Sequence, residues 1–201
     1  MIRVLIAEDQ TMVRGALAAL LALEEDLAIV AQVARGDEVL DAARRERPDV
    51  ALLDIEMPGG DGLEAAQTLA HELPAIRSLV LTTFARPGYL RRAMAAGAAG
   101  FVLKTAPAEE LAVAIRRVAA GERVVDPGLA AEALSEGDSP LTARERDVLA
   151  EARSGDPVAT LAGRLHLSAG TVRNYLSSAM RKLDARTRAE AVRAAEEKGW
   201  L

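Results

Sequence analysis

The chain has 201 residues, half of them hydrophobic, 27% charged and only 2% aromatic, with a formal net charge of −5. That length suits one large or two small domains, with an aliphatic core carried on helices and buried strands. The absence of cysteine excludes disulfides, thiolate metal sites and Cys nucleophiles; MIRVLIAEDQ reaches Glu8 and Asp9 too soon for a signal peptide, and no apolar run approaches membrane-spanning length, so a soluble, cytoplasmic protein with no membrane partner is expected.

From Met1 to about Ala120, short apolar runs alternate with amphipathic stretches. IRVLIA at 2–7, LAIVAQV at 27–33, VALLD at 50–54, SLVLTT at 78–83 and GFVLK at 100–104 read as buried strands, because apolar residues run on without alternating with polar ones. Between them, residues 10–23, 37–46, 62–72, 87–96 and 107–119 carry apolar residues at helical spacing, punctuated by Gly36, Pro48, Pro74, Gly97 and Gly121. Parallel neighbours require crossovers, so this alternation predicts an α/β domain: a doubly wound, five-stranded parallel sheet over residues 1–120 with helices on both faces.

Residues 121–139 hold a short helical stretch at Gly128 to Leu134, then the polar SEGDS, and read as a linker. Residues 140–201 predict a small all-α domain of four helices, at 141–155, 157–166, 168–183 and 187–199, with no strand between them. Thr142 with Glu145 forms a capping box, Pro157 takes a first helical position, and Ser168 caps the third helix three residues before Thr171. Charge divides along the same line. Residues 139–201 hold 11 Lys+Arg against 8 Asp+Glu, or +3, and residues 1–138 hold 14 against 22, or −8. A basic module after an acidic one suggests an anionic partner for the second, although +3 alone also suits an ordinary solvated surface.

In an open α/β sheet, ligands bind beyond the carboxyl ends of the strands. Glu8 and Asp9 end the first strand, Asp54 the third, Thr82 the fourth and Lys104 the fifth. Converging carboxylates repel unless a cation neutralises them, which implies a hard divalent ion on oxygen ligands, with Mg2+ the natural candidate. Glu8, Asp9 and Asp54 would hold it, and the backbone carbonyl of Glu56 would complete the shell. Asp54 can then attack a phosphorus centre while Lys104 neutralises the phosphoryl oxygens. Pro58 and Gly59-Gly60 bend the following loop before Asp61-Gly62 opens a helix.

These residues carry a resemblance. ED at 8–9, LLDIEMPGGDG at 52–62, LTT at 81–83 and GFVLK at 100–104 resemble a receiver domain, a flavodoxin-like phosphoacceptor fold, over residues 1 to about 120. The resemblance implies Glu8 and Asp9 as the acidic pair, Asp54 as the phosphorylated residue, Thr82 as the switch hydroxyl, Phe101 as the rotating aromatic and Lys104 as the phosphate-binding lysine. Phe101 also reads as plain core, and Thr82 and Thr83 both read as strand formers between which the register can slip.

In the second domain, residues 157–182 read as helix, short turn and helix. The second of these opens with SAGTVRN, whose N-terminal turn can meet a phosphate while outward side chains reach base edges; Val172, Leu176 and Met180 form an inward stripe. LTARERDVL at 141–149 and LSAGTVRNYLSSAMRKLDARTRAEAV at 167–192 resemble the helix-turn-helix output domain of the NarL/FixJ (LuxR-type) regulators; the output helix also resembles regulators of the DesR type, which control membrane-lipid desaturase genes.

The resemblance implies that Arg173, Asn174 and Ser177 face bases and that Ser168, Thr171, Tyr175 and Lys182 contact phosphates. Ser177 departs from the frequent basic residue there, leaving most readout to Arg173 and Asn174, and Tyr175 also reads as core. The last helix pairs two output domains in that family; its other reading is packing against its own domain. His71 and His166 stand alone and receive no chemistry.

The expected protein is a two-component transcriptional regulator, not an enzyme: a sensor histidine kinase phosphorylates Asp54, a homodimer forms, and double-stranded DNA is bound. Two alternatives stand beside it. One is a metal-dependent phosphatase with Asp54 as nucleophile, against which Glu56 occupies the plus-two position where such enzymes carry an acid/base Asp. The other is constitutive DNA binding with a silent receiver.

Overall fold

The computed structural model describes residues 1–83, 87–125, 128, 130–131 and 139–201. Apart from residues 128, 130 and 131, the helical stretch expected from Gly128 to Leu134 lies outside the described residues, as does SEGDS up to residue 138. The chain divides into two compact units, the first Met1–Ala85 with Leu90–Ala131 and the second Arg86–Tyr89 with Glu132–Leu201.

In the first unit, strands β1 (Ile2–Ala7), β2 (Leu27–Val33), β3 (Val50–Asp54), β4 (Arg77–Thr82), β5 (Gly100–Leu103) and β6 (Val124–Val125) form one parallel sheet in the order β2-β1-β3-β4-β5-β6. Helices α1 (Thr11–Leu21), α2 (Val39–Glu46), α3 (Gly62–Glu72), α4 (Pro87–Ala95) and α5 (Ala108–Ala119) connect the strands. The expected five strands become six. β6 lies in the stretch read as linker and pairs Gly100 with Val124 and Phe101 with Val125; two residues are too few to show a period.

Both faces of the sheet are covered, which is why its strands read as unbroken apolar runs. Along β1 and β3, Val4, Ile6, Val50 and Leu52 pack into one layer with Leu111, Ile115 and Val118 of α5. The alternate residues Leu5, Ala7, Ala51 and Leu53 pack into the other with Val39 and Ala43 of α2 and Ala66 and Leu69 of α3. Fully burying one such aliphatic side chain stabilises the fold by about 1.5–3 kcal/mol, so register is strongly fixed.

The second unit contains α6 (Ala143–Glu151), α7 (Val158–Arg164), α8 (Ala169–Lys182) and α9 (Arg188–Glu197) around Val148, Leu149, Leu161, Val172, Leu176, Ala179, Ala191 and Ala195. Thr142 and Glu145 form the expected capping box, and Ser168 Oγ accepts from the Thr171 N–H at 3.0 Å. Pro157 takes the cap position instead of the first helical one, its extended ψ of 148° keeping it outside the helix while its carbonyl accepts from Thr160 at 2.9 Å. Ala179 completes the buried stripe of α8, with Met180 at its edge, because the i, i+4, i+7 spacing from Val172 lands on 179. Among the described residues no helix is long and apolar enough to cross a membrane.

Candidate functional site

Glu8 and Asp9 follow β1 and Asp54 ends β3, the two strands at which the sheet order reverses. Connections leave a reversal point toward opposite faces, so a crevice opens beyond the carboxyl ends. One oxygen from each of the three carboxylates lies within 4.8 Å of the others. Glu8 and Asp54 are buried. Lys104, immediately after β5, brings its Nζ to 2.7 Å from Glu8 Oε2 and 3.0 Å from Asp54 Oδ1.

One ammonium among three carboxylates leaves excess negative charge at the crevice. Burial pushes the Asp54 carboxyl up to about 6, with Glu8 and Asp9 adding to the rise and Lys104 opposing it. Burial works against the Lys104 ammonium, yet its bonds to Glu8 and Asp54 outweigh that and hold it above the ordinary lysine range. Asp9 Oδ1 is buried without a hydrogen-bond partner among the described residues. A buried, unpartnered carboxylate oxygen beside two further carboxylates is a donor set suited to a hard cation.

Thr82 is buried at the end of β4, where its carbonyl accepts from the Lys104 N–H at 2.8 Å. Asp54 pairs with Leu81, so Thr82 stands one residue beyond it on the neighbouring strand, whereas Thr83 is exposed. Phe101 pairs with Val80 and is only 1% exposed. Glu56 is exposed on the loop after Asp54, and its carboxylate is not one of the three that converge. That loop ends in a capping box between Asp61 and Glu64, with Arg92 of α4 3.2 Å from Asp61 Oδ2.

Comparison with known proteins matches the response regulator receiver domain over residues 4–116 and the luxR family of bacterial regulatory proteins over residues 139–195. The chain is 46% identical over 201 residues to transcriptional regulatory protein DesR of Bacillus subtilis (strain 168), covering 100% of both chains. It is 41% identical over 202 residues to response regulator RamR of Streptomyces coelicolor, covering 100% of this chain and 98% of that one. It also superposes on the crystal structure of response regulator ChrA of a heme-sensing two-component system, with TM-score 0.59, 31% identity and coverage of 100% and 98%. The chain belongs to the LuxR-type response regulators.

This response regulator is accordingly a DNA-binding transcriptional regulator, and the phosphatase alternative is set aside. Its output unit is built to present α8. After α7 the chain closes a Schellman turn: the Leu167 N–H donates to Ala162 O at 2.9 Å and the His166 N–H to Gly163 O at 3.3 Å, with His166 at φ 53°. His166 thus terminates a helix, a role its side chain does not announce. Ser168 then opens α8, its hydroxyl also 2.8 Å from Thr171 Oγ1.

Arg173, Asn174 and Ser177 are exposed on the face opposite the buried Val172, Leu176 and Ala179. Ser168 is exposed, Thr171 is half-buried, and Tyr175 is half-buried against the helical core. Lys182 is exposed yet tied to the protein: its Nζ lies 2.7 Å from Oε2 of the buried Glu145, whose Oε1 accepts from Ser178 Oγ at 2.7 Å. Burial alone would raise the Glu145 carboxyl, but Lys182, Ser178 and Thr142 bring it down to about 2. Sequence reasoning read Glu145 only as half of a capping box and missed Ser178. The signal available was a glutamate facing a helix that carries both a serine and a lysine one turn apart.

Proposed function

We propose that this response regulator is switched by phosphorylation of Asp54, with a cognate sensor histidine kinase as donor, in the cytoplasm. The observation that carries the reading is the convergence of Glu8, Asp9, Asp54 and Lys104 at one crevice. Asp54 attacks phosphorus, the bond from phosphorus to the donor's leaving group breaks, and an acyl phosphate forms on Asp54. Glu8, Asp9, Asp54 and the Glu56 carbonyl would hold Mg2+, which supplies charge neutralisation on the phosphoryl oxygens. Lys104 binds a phosphoryl oxygen from its position beside Asp54. Thr82 moves toward the new anion, and Phe101 follows as the switch aromatic.

The modified receiver favours a homodimer, which places two output domains on half-sites about one helical turn apart. Only a few kcal/mol of differential affinity between the two receiver states is required. On DNA, Arg173, Asn174 and Ser177 face base edges, and Ser168, Thr171 and Tyr175 contact phosphates at the positive end of α8. Lys182 joins them while still bonded to Glu145, since an ammonium has three donors and Glu145 takes one.

The test is a gel-shift with acetyl phosphate or beryllofluoride in Mg2+. Tighter DNA binding and a dimer, both absent in Asp54→Ala, are the expected outcome; unchanged affinity and association state refute the switch.

A further inference from the structure

The loop that follows Asp54 is fastened by a second loop outside the acidic crevice. The main-chain N–H of Gly36, midway along the β2–α2 connection, donates to the Pro58 carbonyl at 3.0 Å. A Cβ on Gly36 would stand 2.0 Å from the Gly60 oxygen and 2.7 Å from its carbonyl carbon, so the two backbones touch with no room for a side chain. Glycine is required there for proximity. At Gly59 and Gly60, with φ of 78° and 117°, it is required for handedness.

The same loop is pinned at its other points. Met57 is buried in the layer that holds Val39 and Ala42 of α2. The Gly62 N–H donates to Ile55 O at 3.0 Å, and a Cβ on Gly62 would meet the carbonyl oxygen of Asp54 itself at 2.0 Å. Glu56 lies within this fastened stretch with its side chain exposed, so what it can offer the crevice is its main-chain carbonyl. Gly36 touches the peptide units of Pro58 and Gly60, two and four residues after Glu56.

We propose that Gly36 is a positioning residue for phosphoryl transfer: its N–H and its bare Cα hold the loop after Asp54 in the conformation that offers the Glu56 carbonyl to Mg2+. The inference rests on the reading of Asp54 as a Mg2+-dependent acceptor. Gly36 touches neither ion nor phosphoryl group and acts through the loop alone. Mg2+ is exacting about the distances of its oxygen ligands, so a loop displaced by one methyl group would offer its oxygen less well.

The experiment is Gly36→Ala in the full chain, titrated with Mg2+ alone by calorimetry, with acetyl phosphate reaction rates measured at low and saturating Mg2+. The expected result is a Mg2+ dissociation constant raised about tenfold, as for loss of other outer supports of a metal site. The rate should fall in proportion at low Mg2+ and return toward wild type at saturation. A lowered melting temperature with unchanged Mg2+ affinity overturns the inference. Should the variant not fold, the Gly36 amide resonance of the wild-type protein decides: it must shift during Mg2+ titration with the same midpoint as that of Asp54, and an unmoved Gly36 overturns the inference. Failure of the wild-type protein to bind Mg2+ would instead remove the reading of Asp54 on which the inference rests.

Discussion

The Lys104 ammonium lies closer to Glu8, at 2.7 Å, than to Asp54, at 3.0 Å. Glu8 therefore anchors the lysine before any phosphoryl group arrives, and the cation serves two buried carboxylates at once. Replacing it removes the one ammonium that pairs with both among the described residues. Lys104→Met should destabilise the receiver by about 3 kcal/mol in metal-free buffer, the order expected when one member of a buried ion pair is removed. Added Mg2+ should restore part of the loss. Urea unfolding with and without Mg2+ measures both.

Asp54 gives the opposite sign. Its carboxyl titrates at about 6 in the folded protein against an ordinary 3.8, so its contribution to stability is fully present below 3.8 and is lost as pH rises through 6. At pH 7.5 without metal, Asp54→Asn should therefore be more stable than wild type by about 1–3 kcal/mol, an advantage that disappears below about pH 4. Mg2+ should raise the wild-type melting temperature more than that of the variant. A wild-type receiver that outlasts Asp54→Asn at pH 7.5 without metal contradicts the electrostatic reading.

Much of this site was legible in the sequence because its parts sit at strand ends. VALLD reads as a buried strand from five apolar or terminal residues in a row, and its last residue is then at the crevice edge. What escaped is of two kinds. β6 is two residues long and Pro157 sits one position earlier than expected, both below the resolution of periodicity. The Glu145–Lys182 pair spans 37 positions, and the Gly36–Pro58 bond is made by main-chain atoms that no side chain announces. Charge and period predict which residues face inward, while contacts between distant loops are set only by how helices and strands pack.

Glu145 should govern the acid stability of the output unit. Its carboxyl titrates at about 2 against an ordinary 4.5, so its stabilising contribution is complete above 4.5 and is lost as pH falls toward 2. The loss amounts to at most about 3 kcal/mol, reduced by solvent screening at Lys182. Trp200, the single tryptophan, lies in the helical core and reports this unfolding by fluorescence. Glu145→Gln should flatten the acid limb of the stability curve; an unchanged limb would show that other carboxylates dominate.

The DNA contacts proposed for α8 fall into two groups with different expected signatures. Arg173→Ala and Asn174→Ala should each cost about 1–3 kcal/mol of discrimination at one base pair, because a base-edge contact carries sequence information. Thr171→Ala should weaken binding evenly across operator variants. Lys182→Ala should do the same and also reduce the salt slope by about 0.9, the effect of one lost phosphate charge contact. Equilibrium binding to a panel of single-base operator variants at several salt concentrations separates the groups.

Intact-mass spectrometry of the full chain after incubation with acetyl phosphate and Mg2+ bears on the chemistry at Asp54 before any question of DNA or dimer. One hydroxylamine-labile phosphoryl adduct is expected on wild type, absent from Asp54→Asn and lost when Mg2+ is chelated. An adduct that persists in Asp54→Asn, or a wild-type protein that stays unmodified with Mg2+ present, would mean that the carboxylates beside Lys104 are not a phosphoacceptor site.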